Sequence, residues 1–115
     1  MLANGARVHG LAHEPEAWHA AEFVYHACDL RDPAAIQRIV AAIGAAEGRL
    51  DYVVNVAGVD PKVKLDEGDA AAWAAIADLN LRAYYLVLHE AVGWLRRGAG
   101  KAVVNVSSIN YRLGV

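Results

Sequence analysis

The sequence predicts an α/β fold, a doubly wound parallel sheet with helices on both faces. Three observations predict it. Short apolar segments alternate with helical ones along the 115 residues. The helical segments open on capping residues and close on glycines. Polar residues gather just past the carboxyl ends of the apolar segments, where open α/β sheets bind their ligands.

The elements follow in order. Residues 6–12, with Val8 and Leu11 around His9, read as a strand, and residues 14–21, with Pro15, as a connection. Residues 23–28 combine aromatic and β-branched side chains and end at Asp29, a second strand. Asp32-Pro33 starts a helix, because the carboxylate caps free N–H groups and proline at the first position has none to lose. Ile36, Ile39, Val40 and Ile43 share one helical face, and Gly48 stops it. Residues 50–56 are almost wholly apolar, as in a parallel strand buried on both faces. Residues 58–68 read as a loop with Pro61 and Gly68 as breakers. Asp69 opens one long helix to about Arg97, with Trp73, Ile76, Asn80, Tyr84, Val87, Ala91 and Trp94 or Leu95 on its apolar stripe. Residues 102–106 are a fourth strand, followed by Ser107 and Ser108.

Length allows one domain, spanning 1–115, and 57% apolar residues suffice for a core. A net charge of −2 with mixed signs argues against a nucleic-acid partner. No apolar stretch approaches the ~18 residues of a membrane span, and no signal peptide is apparent, so the expected location is cytoplasmic. Cys28 stands alone, which excludes an intrachain disulfide, and it reads as core. The histidines, His9, His13, His19, His26 and His89, show no metal-ligand spacing, so no metal is expected. Trp73 and Trp94 read as packing residues.

Two places carry candidate chemistry. Asn80 interrupts the apolar stripe of the long helix. It is either a core amide bonded to backbone or a working amide at the floor of a site, and the residues alone leave both open. Ser107 and Ser108 end a strand, either as a turn or as hydroxyls presented at the active edge.

The chain resembles the classical short-chain dehydrogenase/reductase family at four places in order. Cys28-Asp29-Leu30 is similar to the acidic-plus-aliphatic step that holds adenine. Asn55-Val56-Ala57-Gly58 is similar to the N-N-A-G motif. Asp78-Leu79-Asn80-Leu81 is similar to the helix bearing the catalytic asparagine. Val104-Asn105-Val106-Ser107-Ser108 is similar to the strand bearing the catalytic serine. The resemblance implies catalytic roles for Ser108 and Asn80, and cofactor binding by Asp29, Leu30, Asn55, Ala57 and Gly58. It also implies hydride transfer between a nicotinamide and a small carbonyl or alcohol substrate, and a homo-oligomer formed through the 69–97 helix.

Two departures stand out. Val56 replaces the second asparagine of N-N-A-G. Ala12 stands where NAD-preferring members place an aspartate, with no arginine nearby to attract a 2′-phosphate, so the coenzyme is NAD or NADP. Two family features fall outside the chain. The Gly-rich phosphate loop is expected before Met1, and the Y-x-x-x-K pair after Val115. Tyr111 does not qualify, since its fourth neighbour is Val115. The expectation is an internal fragment, inactive alone. The alternative is a non-catalytic nucleotide-binding or interaction remnant. In the strand order 3-2-1-4-5-6 the first strand separates the second from the fourth. The four strands here should therefore form two pairs, 6–12 with 23–28 and 50–56 with 102–106, around an open slot.

Overall fold

The computed structural model describes residues 2–15 and 19–109, so Tyr111 and the middle of the 14–21 connection lie outside the described residues. The strands are β1 (Val8–Ala12), β2 (Phe23–Ala27), β3 (Tyr52–Asn55) and β4 (Ala102–Asn105). They form the two parallel pairs expected, β1 with β2 and β3 with β4. Val8 lies opposite Phe23, and Asn55 opposite Asn105. Gly10 is bare for a reason, since a Cβ there would lie 2.7 Å from the Phe23 ring.

Helix α1 (Pro33–Glu47) starts and stops as its residues dictate. The Asp32 carboxylate accepts from the N–H groups of Ala34 at 3.0 Å and Ala35 at 3.3 Å. Gly48 closes it with φ +75°, its N–H bonded to the Gly44 carbonyl at 2.8 Å. Ile36, Val40 and Ile43 are buried along its inner face.

The second helical rod is not the uniform helix expected. It comprises α2 (Ala70–Ala77), a π-helical stretch Asp78–Arg82, and α3 (Ala83–Leu95). A wider turn admits an extra residue, and each residue advances about 100° around the axis. No residue of α2 is buried among the described residues, although Ile76 of the stripe is half-buried and lines the cleft. Leu79, Ala83, Ala91 and Leu95 are buried, whereas Trp73 is 73% exposed and Asn80 is exposed too. Among the described residues nothing packs over most of Trp73, contrary to its reading as a packing residue. Trp94 is one: its indole lies over Gly44, where a Cβ would come within 2.2 Å of the ring.

Helices α1 and α3 pack side by side. Cys28, Ala35, Ile36, Val40, Val53, Ala91 and Leu95 form one buried cluster between them and the strands. Val53 and Asn55 face this cover, but Tyr52 (54%) and Val54 (44%) on the other side of β3 are exposed. Every residue of β4 is exposed. The expectation of a strand buried on both faces therefore fails here, because among the described residues nothing covers the second face. Between β1 and β3 lies an open slot of about 900 Å³.

Candidate active site

The carboxyl ends of the strands converge on one edge, and backbone contacts hold them there. Tyr84 of α3 places its hydroxyl 2.9 Å from the Ala57 carbonyl and 3.3 Å from that of Val106. One side chain thus ties the turn after β3 to the segment leading to Ser108. Apolar periodicity places Tyr84 on the stripe but does not reveal a hydroxyl aimed at two carbonyls.

Asn80 clamps the loop after β3. Its Oδ1 accepts from the Val59 N–H at 2.8 Å, and its Nδ2 donates to the Val59 carbonyl at 2.8 Å. The amide meets one backbone residue in both directions, the pattern of a peptide–peptide pair. Gly58 sits against it, with a Cβ position 3.4 Å from Oδ1. Asn55 is buried, and its Nδ2 donates to Asn105 Oδ1 at 2.8 Å, an amide pair in register across β3 and β4.

A cleft of about 370 Å³ opens beyond β1 and β2. Its lining is His13, Asp29, Arg31, Val59, Pro61, Val63, Ala72, Ala75, Ile76 and Leu79. One end is charged and the other apolar, which suits a flat heterocycle bearing polar edges. Asp29 Oδ1 accepts from the Arg31 N–H at 2.9 Å and from Arg31 Nε at 3.0 Å. The Arg31 side chain first, then its backbone N–H, holds the Asp29 carboxyl below its usual range. Arg82 of the π stretch donates to the Arg31 carbonyl at 3.0 Å and pairs with Asp78 at 3.1 Å, which anchors this turn to the helical rod.

Arg31 shares a cleft with His13, the residue after Ala12, while its guanidinium pairs with Asp29. Arg31 is 19 positions from Ala12 in sequence, but the parallel register sets Ala12 beside Ala27, so the residues following the two strands share one cleft. Leu30 does not line this cleft; it lines the slot and packs against the core. Ala57 also lines the slot. Ser108 lies exposed two residues past Val106. Cys28 is buried, and burial followed by Asp29 and Asp32 pushes its thiol up, which disfavours a nucleophilic role.

The structure therefore brings Asn80, Gly58 and Val59 together, and Asp29 with Val59 across the cleft. Ser108 follows the β4 end that Tyr84 ties to the turn after β3.

The model of the short chain dehydrogenase family matches residues 1–115, and the chain belongs to that family. It is 39% identical over 94 residues to D-xylose 1-dehydrogenase of Caulobacter vibrioides, covering 80% of this chain and 36% of that protein. It is 36% identical over 86 residues to the short chain dehydrogenase citE of Monascus ruber, covering 74% and 30%. The ligand-free aldohexose dehydrogenase of Thermoplasma acidophilum superposes with a TM-score of 0.86 at 25% identity, over 95% of this chain and 42% of that one. ElxO with NADP bound superposes at 0.82 with 23% identity, over 99% and 50%. The chain thus spans about a third of the length of the curated relatives it matches.

Proposed function

We propose that these residues form the adenosine-binding side, and part of the catalytic edge, of an NAD(P)-dependent oxidoreductase acting on a small carbonyl or alcohol. The observation that carries this reading is the mixed cleft at the strand ends, with Asp29 and Arg31 at one end, Val59, Ile76 and Leu79 at the other, and Asn80 pinning Val59. Two solved structures of the same fold bind NADP and NAD. When bound, the coenzyme supplies the hydride donor or acceptor.

The chain's own residues do the rest. Val59, Ile76 and Leu79 offer an apolar wall for the adenine ring. Asp29 accepts hydrogen bonds at its edge. His13 and Arg31 line the same cleft and would be the cations available to a 2′-phosphate, and with no carboxylate at Ala12 to oppose one, this reading takes NAD or NADP. Asn55, through Asn105, and Ala57 and Gly58, through Tyr84 and Asn80, set the backbone that borders the coenzyme. Ser108 donates its hydroxyl to the substrate oxygen, and Asn80 holds the relay side of the site by fixing the π stretch against the loop. The outer face of the rod, with Leu81 at 72% and Tyr85 at 66% exposure, suits pairing with a second subunit. The 115 residues contain no Y-x-x-x-K, and on this reading they do not by themselves supply the acid–base pair.

The test is a chimera in which these residues replace the matched segment of the Caulobacter enzyme. Ser108→Ala should lower kcat by on the order of 10²–10³, the usual loss for a donor to a developing oxyanion, while Ser107→Ala costs far less. Equal losses would assign the wrong serine.

A further inference from the structure

We propose that Tyr25 is a positioning residue for coenzyme choice: its hydroxyl holds the turn after β1 so that His13 meets a 2′-phosphate on the adenosine. The inference rests on the reading of the cleft as an adenosine site, and it adds the group that decides how much that site gains from the extra phosphate.

The strand pair sets the geometry. In the parallel register Val8 lies opposite Phe23 and Gly10 opposite Tyr25. Alternate side chains share a face, so Phe23 and Tyr25 stand on the side of Val8, Gly10 and Ala12. Phe23 leans along the strand until its ring covers Gly10, where a Cβ would lie 2.7 Å from it. Tyr25, two residues on, leans the same way toward the end of β1. Its hydroxyl donates to the Ala12 carbonyl at 2.8 Å and also reaches the Glu14 carbonyl. A phenol has one proton to donate, so the two carbonyls share it. The Ala12 carbonyl also receives the Cys28 N–H at 2.8 Å. Losing the hydroxyl therefore leaves the strand pair closed and loosens the turn.

His13 is the residue between the two tied carbonyls. Fixing the peptides on both sides of it fixes the direction of its side chain, which lines the cleft with Asp29 and Arg31. The Asp29 carboxyl responds to both cations: Arg31 chiefly, and His13 last, draw it below its usual range. The two cations differ in what holds them. Arg31 is committed to Asp29, with Nε at 3.0 Å and Nη2 at 3.4 Å. His13 has Glu14 as its ion partner at 3.5 Å, with side chains 59% and 68% exposed. An exposed pair of that kind contributes little, so a phosphate can replace the Glu14 carboxylate at small cost. What an exposed imidazole lacks is a fixed direction, and a ligand gains from a charge that is already aimed. The Tyr25 hydroxyl supplies that aim from the neighbouring strand.

The experiment titrates the 115-residue chain with adenosine 5′-monophosphate and with adenosine 2′,5′-bisphosphate, read by NMR at the amides of Asp29 and Val59. The preference is the ratio of the two dissociation constants, and it should favour the bisphosphate. Tyr25→Phe should lower it roughly 3- to 10-fold, the scale of one hydrogen bond, and His13→Ala by at least as much. Adding Tyr25→Phe to His13→Ala should lower it no further, because the hydroxyl acts through that imidazole. A tyrosine with a merely structural role would weaken both nucleotides alike and leave the ratio in place. An unchanged ratio in either single variant, or full additivity of the two, would overturn the proposal and leave the adenosine reading standing. Failure of both nucleotides to bind would overturn the adenosine reading and this proposal with it.

Discussion

Asn80→Ala removes both hydrogen bonds to Val59 while leaving a good helix former in the rod. Each such bond contributes about 0.5–1.5 kcal/mol net, so the clamp contributes roughly 1–3 kcal/mol to closing the loop after β3. That corresponds to a ~5- to ~150-fold rise in the fraction of time the loop is open. Exchange of the Val59 amide measures it directly, since its acceptor is the Asn80 side chain. The expected result is a rise in exchange of that size at Val59, with α1 amides unchanged. Asn80→Asp sharpens the test. The carboxylate still accepts from the Val59 N–H but faces the Val59 carbonyl with a second acceptor. Protection of the amide should persist while the loop loses stability. Unchanged exchange at Val59 in the alanine variant would refute the clamp, and with it the account of how the π stretch shapes the site.

Four further outcomes are expected. His26 is held below its ordinary 6.5 by burial and then by His9, whose Nδ1 lies 2.9 Å from His26 Nε2. Glu47 is held below 4.5, chiefly by its hydrogen bond with His9. Both groups bind protons less readily folded than unfolded, so their stability is present above those values and lost as pH falls through them. The thermal midpoint should drop first below pH 6.5 and again below 4.5, and His26→Gln should remove the first drop. Gly44→Ala should destabilise by ~1–3 kcal/mol in denaturant titrations, because the new methyl meets the Trp94 ring; with Trp94→Ala present the sign should reverse, as helix propensity then favours alanine by ~1 kcal/mol. Tyr84→Phe should cost ~0.5–1.5 kcal/mol and speed exchange at Val106, whose segment it ties to the turn after β3. The purified chain should show no NAD(P)H-dependent ketone reduction above blank.

Much of this was legible from residues. The two strand pairs, the Asp32 cap, the Gly48 stop and the Ile36, Val40, Ile43 face all appear where local chemistry puts them. These features depend on neighbours in sequence or on a two-residue or 3.6-residue period. What escaped depends on contacts across the fold. No local signal distinguishes a π stretch from an α-helix of the same residues, and none shows that Trp73 is exposed or that the Asn80 amide meets the Val59 backbone. Arg31 reaches the cleft only through the β1–β2 register. The motif gives Leu30 a place beside the adenine, and what its periodicity does not show is that it also lines the slot and packs against the core. The exposed face of β3 could not be read from its apolar run, because composition records what a strand is built to bury, not what covers it.

On the proposed reading, the cleft of Asp29, Arg31, Val59, Ile76 and Leu79 receives the adenosine half of the coenzyme. An NMR titration of the chain with adenosine 5′-monophosphate tests it most directly. The account predicts saturable shifts at the amides of Asp29, Arg31, Val59 and Ile76, at ~millimolar concentration or below, and their loss in Asp29→Ala. Shifts confined to the slot residues, or none at all with the fold intact, would contradict it.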